Sequence, residues 1–158
     1  MPKKKESIYL ETSVISAYFD FKQQDTERKK ITRKFWKEVL PKYRVILSET
    51  VIEELQSAEE SKTSKFLRLI TGAERLEVTS REKNLAKKYI KAGIIRKTKF
   101  GDALHLAVTT LNQIDYLVSW NYEDIVGASQ RKKISEFNKA HKLPLTQIST
   151  PNDFLIIK

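Results

Sequence analysis

Six acid or amide side chains fall at places where a small protein does chemistry. Glu11 closes the apolar run "SIYLE" and is followed at once by Thr12 and Ser13. Glu53 and Glu54 lie in "SETVIEEL", just after the second apolar run. Asp102 stands in "KFGDALHLAV" at the front of an apolar helix, and Asn121 and Asp124 follow the fourth run in "LVSWNYEDI". With no cysteine and only two histidines in 158 residues, thiolate sites, disulfides and cysteine nucleophiles are excluded. What remains is carboxylate chemistry. Oxygen-rich groups of this kind suit a hard cation such as Mg²⁺ or Mn²⁺, which binds through one or two carboxylates and substrate phosphate. Such a cation lowers the pKa of a bound water and neutralises charge on a phosphodiester, while a neighbouring carboxylate orients or deprotonates that water.

These residues need a frame. Short β-rich runs at Ser7–Glu11, Arg44–Leu47, Leu76–Val78, Asp115–Ser119 and Leu145–Ile148 predict five strands. Helical composition fills the intervals, over Ser13–Phe21, Thr26–Leu40, Glu49–Ala58, Lys62–Ile70, Ser80–Ala92, Asp102–Leu111 and Arg131–Lys142, and Thr150–Pro151 opens a short terminal helix. Ser80 reads as the cap of its helix and Gly93 as its stop. Leu104, Ala107, Val108 and Leu111 form the i, i+3, i+4, i+7 stripe of a helix packed on a core. Strands alternating with helices predict an α/β fold with a mainly parallel sheet covered on both faces. No internal repeat or linker interrupts the chain, so 1–158 reads as a single domain. In such a sheet, ligands bind beyond the carboxyl ends of the strands, which is where most of the polar residues above fall.

The formal net charge is +10, and it is unevenly spread. Residues 1–44 carry +6, 45–80 carry −3, 81–101 carry +7, 102–130 carry −4 and 131–158 carry +4. Acidic stretches set among basic ones suit a cation site within a surface that attracts phosphates. No apolar run reaches the ~20 residues of a membrane span, and "MPKKKESIYLE" lacks the apolar core of a secretory signal. A cytoplasmic location is expected.

The ordered set "YLETS", "SETVIEEL", "GDALHLAV" and "LVSWN", spread from about Ile8 to Ile125, resembles the PIN-domain family of metal-dependent ribonucleases, best known from VapC-type toxins. The resemblance implies a three-layer αβα sandwich around a parallel sheet of about five strands. It also implies endoribonuclease activity with Mg²⁺ or Mn²⁺. Carried over by motif, Glu11, Glu54, Asp102 and Asn121 match the acidic positions, with Asp124 one turn beyond Asn121 able to supply the charge that Asn121 lacks. Ser13 and Ser119 match the hydroxyl residues that brace the first and fourth positions. Glu54 is preferred to Glu53 because it directly precedes Leu55, and Glu11 with Asp102 forms the expected metal pair. Asp102 is expected to serve as helix cap and ligand together, and His105 to be structural. Implied partners are RNA, an antitoxin protein and a second copy of the chain. Glu11 in place of the family's usual Asp, and the uncharged Asn121, point to an alternative: a module that binds RNA or a protein without cleavage. A phosphatase of the haloacid-dehalogenase kind needs D-x-D where this chain has "ETSV", and no Gly-rich loop supports a P-loop or Rossmann site.

Overall fold

A computed structural model of the protein describes residues 4–156; Met1–Lys3, at the front of the basic amino-terminal run, lie outside the described residues. The first strand, β1 (Ser7–Leu10), is buried at all four positions. Because successive side chains on a strand point to opposite faces, full burial means that both faces are covered. The other strands are β2 (Arg44–Ser48), β3 (Glu74–Leu76), β4 (Tyr116–Val118) and β5 (Gln147–Ser149). They align in the order β3-β2-β1-β4-β5, and every adjacent pair is parallel. The chain builds outward from β1 through β2 to β3, then returns to lay β4 on the other side of β1. That reversal puts a crevice between the carboxyl ends of β1 and β4.

Helices α1 (Thr12–Phe19), α2 (Thr26–Glu38), α3 (Glu49–Gln56), α4 (Glu60–Leu69), α5 (Ser80–Lys91), α6 (Phe100–Leu111), α7 (Ala128–Ala140) and α8 (Pro151–Ile156) flank the sheet in an αβα sandwich. The core gathers Ile8, Leu10, Leu47, Val51, Leu106, Leu117 and Ile125 around the middle strands. A 3-10 turn, Leu40–Lys42, follows α2, because Pro41 cannot continue the helix. None of the described helices is long and apolar enough to cross a membrane.

The elements follow the sequence reading with instructive shifts. The third strand sits at Glu74–Leu76, ahead of the expected Leu76–Val78, because the ladder to β2 pairs Ser48 with Leu76. The α5 cap is Thr79 and not Ser80: Thr79 and Glu82 form a capping box, which satisfies two free amide groups at once. Gly93 follows α5 with φ of 76°, a conformation that favours glycine. Between β4 and α7 the chain makes a π-turn, Tyr122–Val126, in which Val126 N donates to Asn121 O at 2.9 Å. Gly127 closes this turn so tightly that a Cβ there would meet Tyr122 O at 2.6 Å.

Candidate metal centre

Glu11 is the residue at which β1 turns into α1. Its backbone still extends the ladder, with Glu11 N donating to Val118 O at 3.1 Å, while its side chain caps α1 by accepting from Ser13 N at 3.1 Å. The same oxygen, Oε1, accepts from Ser13 Oγ and, at 2.7 Å, from Ser119 Oγ. The two serines are themselves held: Ser13 Oγ accepts from Trp120 N at 2.8 Å and Ser119 Oγ from Asn121 N at 2.9 Å. Ser13 thus clamps Glu11, the position its motif associates it with, while Ser119, associated with the fourth position, reaches Glu11 as well as receiving Asn121 N; Glu11 is 5% exposed.

Glu54 reaches the crevice from α3. Its Oε1 accepts from Thr12 Oγ1 and shares a 2.7 Å hydrogen bond with His105 Nε2. His105 is fully buried, and its Nδ1 is bonded at 2.7 Å to Tyr9 OH, which in turn meets Ser48 Oγ at 2.8 Å. Burial alone would push the imidazole toward neutrality, but the Glu54 hydrogen bond and the charges of Glu11, Glu54 and Asp102 overrule it and raise its pKa. Burial likewise pushes the Glu54 carboxyl up, and the hydrogen bond and charge of His105 with the Thr12 bond bring it below the ordinary value. His105 is a buttress for Glu54, with both nitrogens spent. The other oxygen, Oε2, faces Gly101, where an added Cβ would come within 3.0 Å of it. Glu53, by contrast, is exposed and lines a separate hollow with Arg75 and Glu77.

Asp102 is the third residue of α6, whose first residue is Phe100 and whose cap, Lys99, makes no side-chain capping bond. The expected role of Asp102 as cap is therefore not what the structure contains. Its carboxylate is instead left against other acids. Burial first, and then the charge of Glu11, pushes its pKa up to about 6, with Asp124 and Glu54 adding to the shift. A carboxylate at a helix N-terminus is normally favoured by the helix dipole; here burial, together with the neighbouring acids, outweighs it.

The fourth acidic position is reorganised. Asn121 Oδ1 accepts from Asp124 N at 3.1 Å and starts the π-turn. Asp124 is nearly buried and takes a two-pronged contact from Arg96, Nε to Oδ1 at 2.9 Å and Nη2 to Oδ2 at 2.8 Å. Those bonds hold the Asp124 carboxyl below its usual range. Asp124 does not replace the charge missing at Asn121; it anchors the segment that leads into α6.

Glu11, Glu54 and His105 each offer one ligand atom within 4.8 Å of the others, the one such group among the described residues, and Asp102 is not part of it. Since His105 is committed to Glu54 and Tyr9, the donors open to a cation are carboxylate oxygens, with Asp102 at the margin. The donor set fits Mg²⁺ or Mn²⁺. Tyr9, Thr12, Gly101 and Arg96 were not singled out by motif. Tyr9 alone carried a signal, a polar tip inside an otherwise buried strand that must find a partner.

Acids gathered at the topological switch of a parallel αβα sandwich make a candidate cation site. The PIN domain family model matches residues 8–123, and the chain belongs to the PIN-domain family. A search of curated proteins finds no match to the chain. Among solved structures, the fold is similar to VapC20 of Mycobacterium tuberculosis, a Sarcin-Ricin loop cleaving toxin, with a TM-score of 0.56 and 21% identity over 70% of this chain and 86% of that one. It is also similar to VapBC-1 from nontypeable Haemophilus influenzae (TM-score 0.52, 15% identity, 92% and 98% covered). VapBC2 from Rickettsia felis, bound to a DNA fragment from its promoter, gives a TM-score of 0.51 at 13% identity, with 90% and 98% covered.

Proposed function

We propose that the protein is an Mg²⁺- or Mn²⁺-dependent endoribonuclease. The observation that supports this best is the gathering of Glu11 and Glu54 with His105 within 4.8 Å at the carboxyl ends of the strands, in a chain of the PIN-domain family; Asp102, pushed up to about 6 by burial and by Glu11, stands beside them. Charge repulsion of that kind is relieved by a divalent cation, which here would be held by Glu11 and Asp102 with Glu54 beside them. The cation supplies charge neutralisation at the phosphodiester and a more acidic water. Ser13 and Ser119 fix the Glu11 oxygen, His105 and Thr12 fix Glu54, and the basic segment 81–101 attracts the RNA backbone. In the hydrolysis, water oxygen bonds to phosphorus, one bridging P–O bond breaks, and the proton shed by water passes to a site carboxylate and returns to the leaving oxygen.

The test is cleavage of a labelled RNA pool with Mn²⁺ and with EDTA, for wild type and Asp102→Asn. Metal-dependent cleavage lost in the variant is expected. A second reading, RNA binding without cleavage, is favoured by one specific observation: Asn121 Oδ1 accepts from the Asp124 backbone N–H and the Asp124 carboxylate is paired with Arg96, so the fourth acidic position brings no unpaired charge. Equal, null activity in wild type and variant, with RNA still bound, selects that reading. Likeness to VapBC assemblies supports an antitoxin protein partner. We further propose a homodimer and a cytoplasmic location; co-purification, sedimentation and cell fractionation test these.

A further inference from the structure

Large apolar side chains left half in water call for an explanation, and one of them adjoins two residues, Asn121 and Arg28, that line the cavity holding Thr12, Ser13 and Glu54. Tyr122 is 50% exposed and directly follows Asn121. Its neighbour Trp120 is nearly buried, with its indole Nε1 donating to Thr32 Oγ1 at 2.9 Å, so the ring is pinned against α2. The Arg28 guanidinium lies 4.8 Å from the Trp120 ring centroid and 5.9 Å from that of Tyr122. The Arg28 guanidinium is thus within reach of both rings.

The backbone that carries this assembly is bonded to the acidic site itself. Trp120 N donates to Ser13 Oγ and Asn121 N to Ser119 Oγ, the two hydroxyls that hold Glu11. The aromatic ledge is therefore in fixed register with the Glu11 carboxylate. A cavity of about 720 Å³ runs beside it, lined by Arg28, Trp120 and Asn121 and also by Thr12, Ser13 and Glu54. An aromatic face with a guanidinium behind it, next to a phosphate-handling site, matches the recognition of unpaired bases, which stack on Tyr and Trp rings and on Arg planes.

Resting on the ribonuclease reading above, we infer that Tyr122, backed by Arg28 and Trp120, is a stacking subsite for one unpaired nucleobase next to the phosphodiester held at Glu11. Stacking is indifferent to base identity and requires a base free of pairing, so the subsite selects single-stranded RNA over duplex. Tyr122 supplies the surface, Arg28 the polarised underside, and Trp120 the fixed support.

The experiment measures fluorescence anisotropy of a labelled ten-nucleotide single-stranded RNA, and of the same RNA annealed to its complement, in EDTA so that no cleavage intervenes. Tyr122→Ala is expected to weaken single-strand binding roughly 10-fold, with duplex binding unchanged and an unchanged salt slope, since no charge is removed. Tyr122→Phe is expected to bind like wild type. The side chain is half-exposed, and an unaltered melting temperature checks that the fold is intact. Wild-type affinity in Tyr122→Ala, or equal weakening of single strand and duplex, overturns the stacking subsite and leaves the ribonuclease reading standing. Failure of the wild type to bind the single-stranded RNA also overturns the subsite, while metal-dependent cleavage, measured separately, decides the ribonuclease reading.

Discussion

Replacing Asp102 by Asn should make the metal-free protein more stable while removing its activity. The folded-state carboxyl titrates at about 6 against an ordinary 3.8. The fold therefore holds the proton more tightly than the unfolded chain does, and the ionised form costs stability. That cost is complete above pH 6, shrinks as pH falls, and is absent below 3.8. At 1.36 kcal/mol per pH unit the gap corresponds to about 3 kcal/mol for a carboxylate shut off from water. Asp102 keeps partial access to solvent, and screening brings this to roughly 1–2 kcal/mol. The helix dipole opposes it, since an acid in the first turn is favoured by ~0.3–1 kcal/mol and Asn forfeits that. The net gain for Asp102→Asn is about 1 kcal/mol at pH 8, a rise of roughly 2–4 °C in melting temperature for a chain of this size. Thermal unfolding in EDTA at pH 8 and pH 5 reads it: the gain should shrink at pH 5. In Mn²⁺ the order should invert, because wild type gains binding free energy, ~2.7 kcal/mol at a hundred times its Kd, and the variant gains less. A variant that loses stability equally at both pH values would refute the crowding of acids at this site.

Gly101→Ala should leave stability unchanged or slightly raised, since Ala is the better helix former by up to ~1 kcal/mol. Its Cβ crowds Glu54 Oε2, whose partner oxygen is clamped, so Mn²⁺ affinity by calorimetry should fall ~10-fold or more; unchanged affinity would show that Oε2 is not a ligand. Glu11→Asp shortens the reach to the Ser119 hydroxyl by about 1.5 Å, and cleavage should fall ~10²-fold although Asp is the family's usual choice; an initial rate at or above wild type would refute a site built around the longer acid. Arg96→Ala strands the nearly buried Asp124. It should lower the melting temperature, with Asp124→Asn in that background restoring part of the loss; additive losses would show that the pair is not coupled.

The central strand was legible because "SIYLE" packs four buried residues into one run, and burial on both faces removes any need for alternation. The acids of Glu11 and Glu54 were legible because parallel strands deliver their carboxyl ends to one edge, and motif order singles out Glu54 over Glu53. The start of α6 was not, since Gly101 in the first turn weakens the helical pattern and Asp102 imitates a cap. Nor was the fate of Asp124: its partner Arg96 is 28 residues away, and no local pattern connects them. The π-turn hid because Asn121 and Asp124 read equally as loop residues, and only the contact at Gly127 discloses the tight closure. The His105 buttress depends on Tyr9, 96 residues earlier, a pairing set by the packing of α6 on β1.

The clamp on Glu11 also sets a time. One carboxylate oxygen joins residue 11 to donors at residues 13 and 119, and the backbone at residues 120 and 121 completes it. Nothing in the first half of the chain can assemble this arrangement, because it needs β4 laid against β1. A ribosome adding roughly 5–20 residues per second takes about 5–20 s to travel from Glu11 to Asn121. Through that interval the growing chain carries acids without a site, and the cell that makes it is not exposed to whatever the finished crevice does.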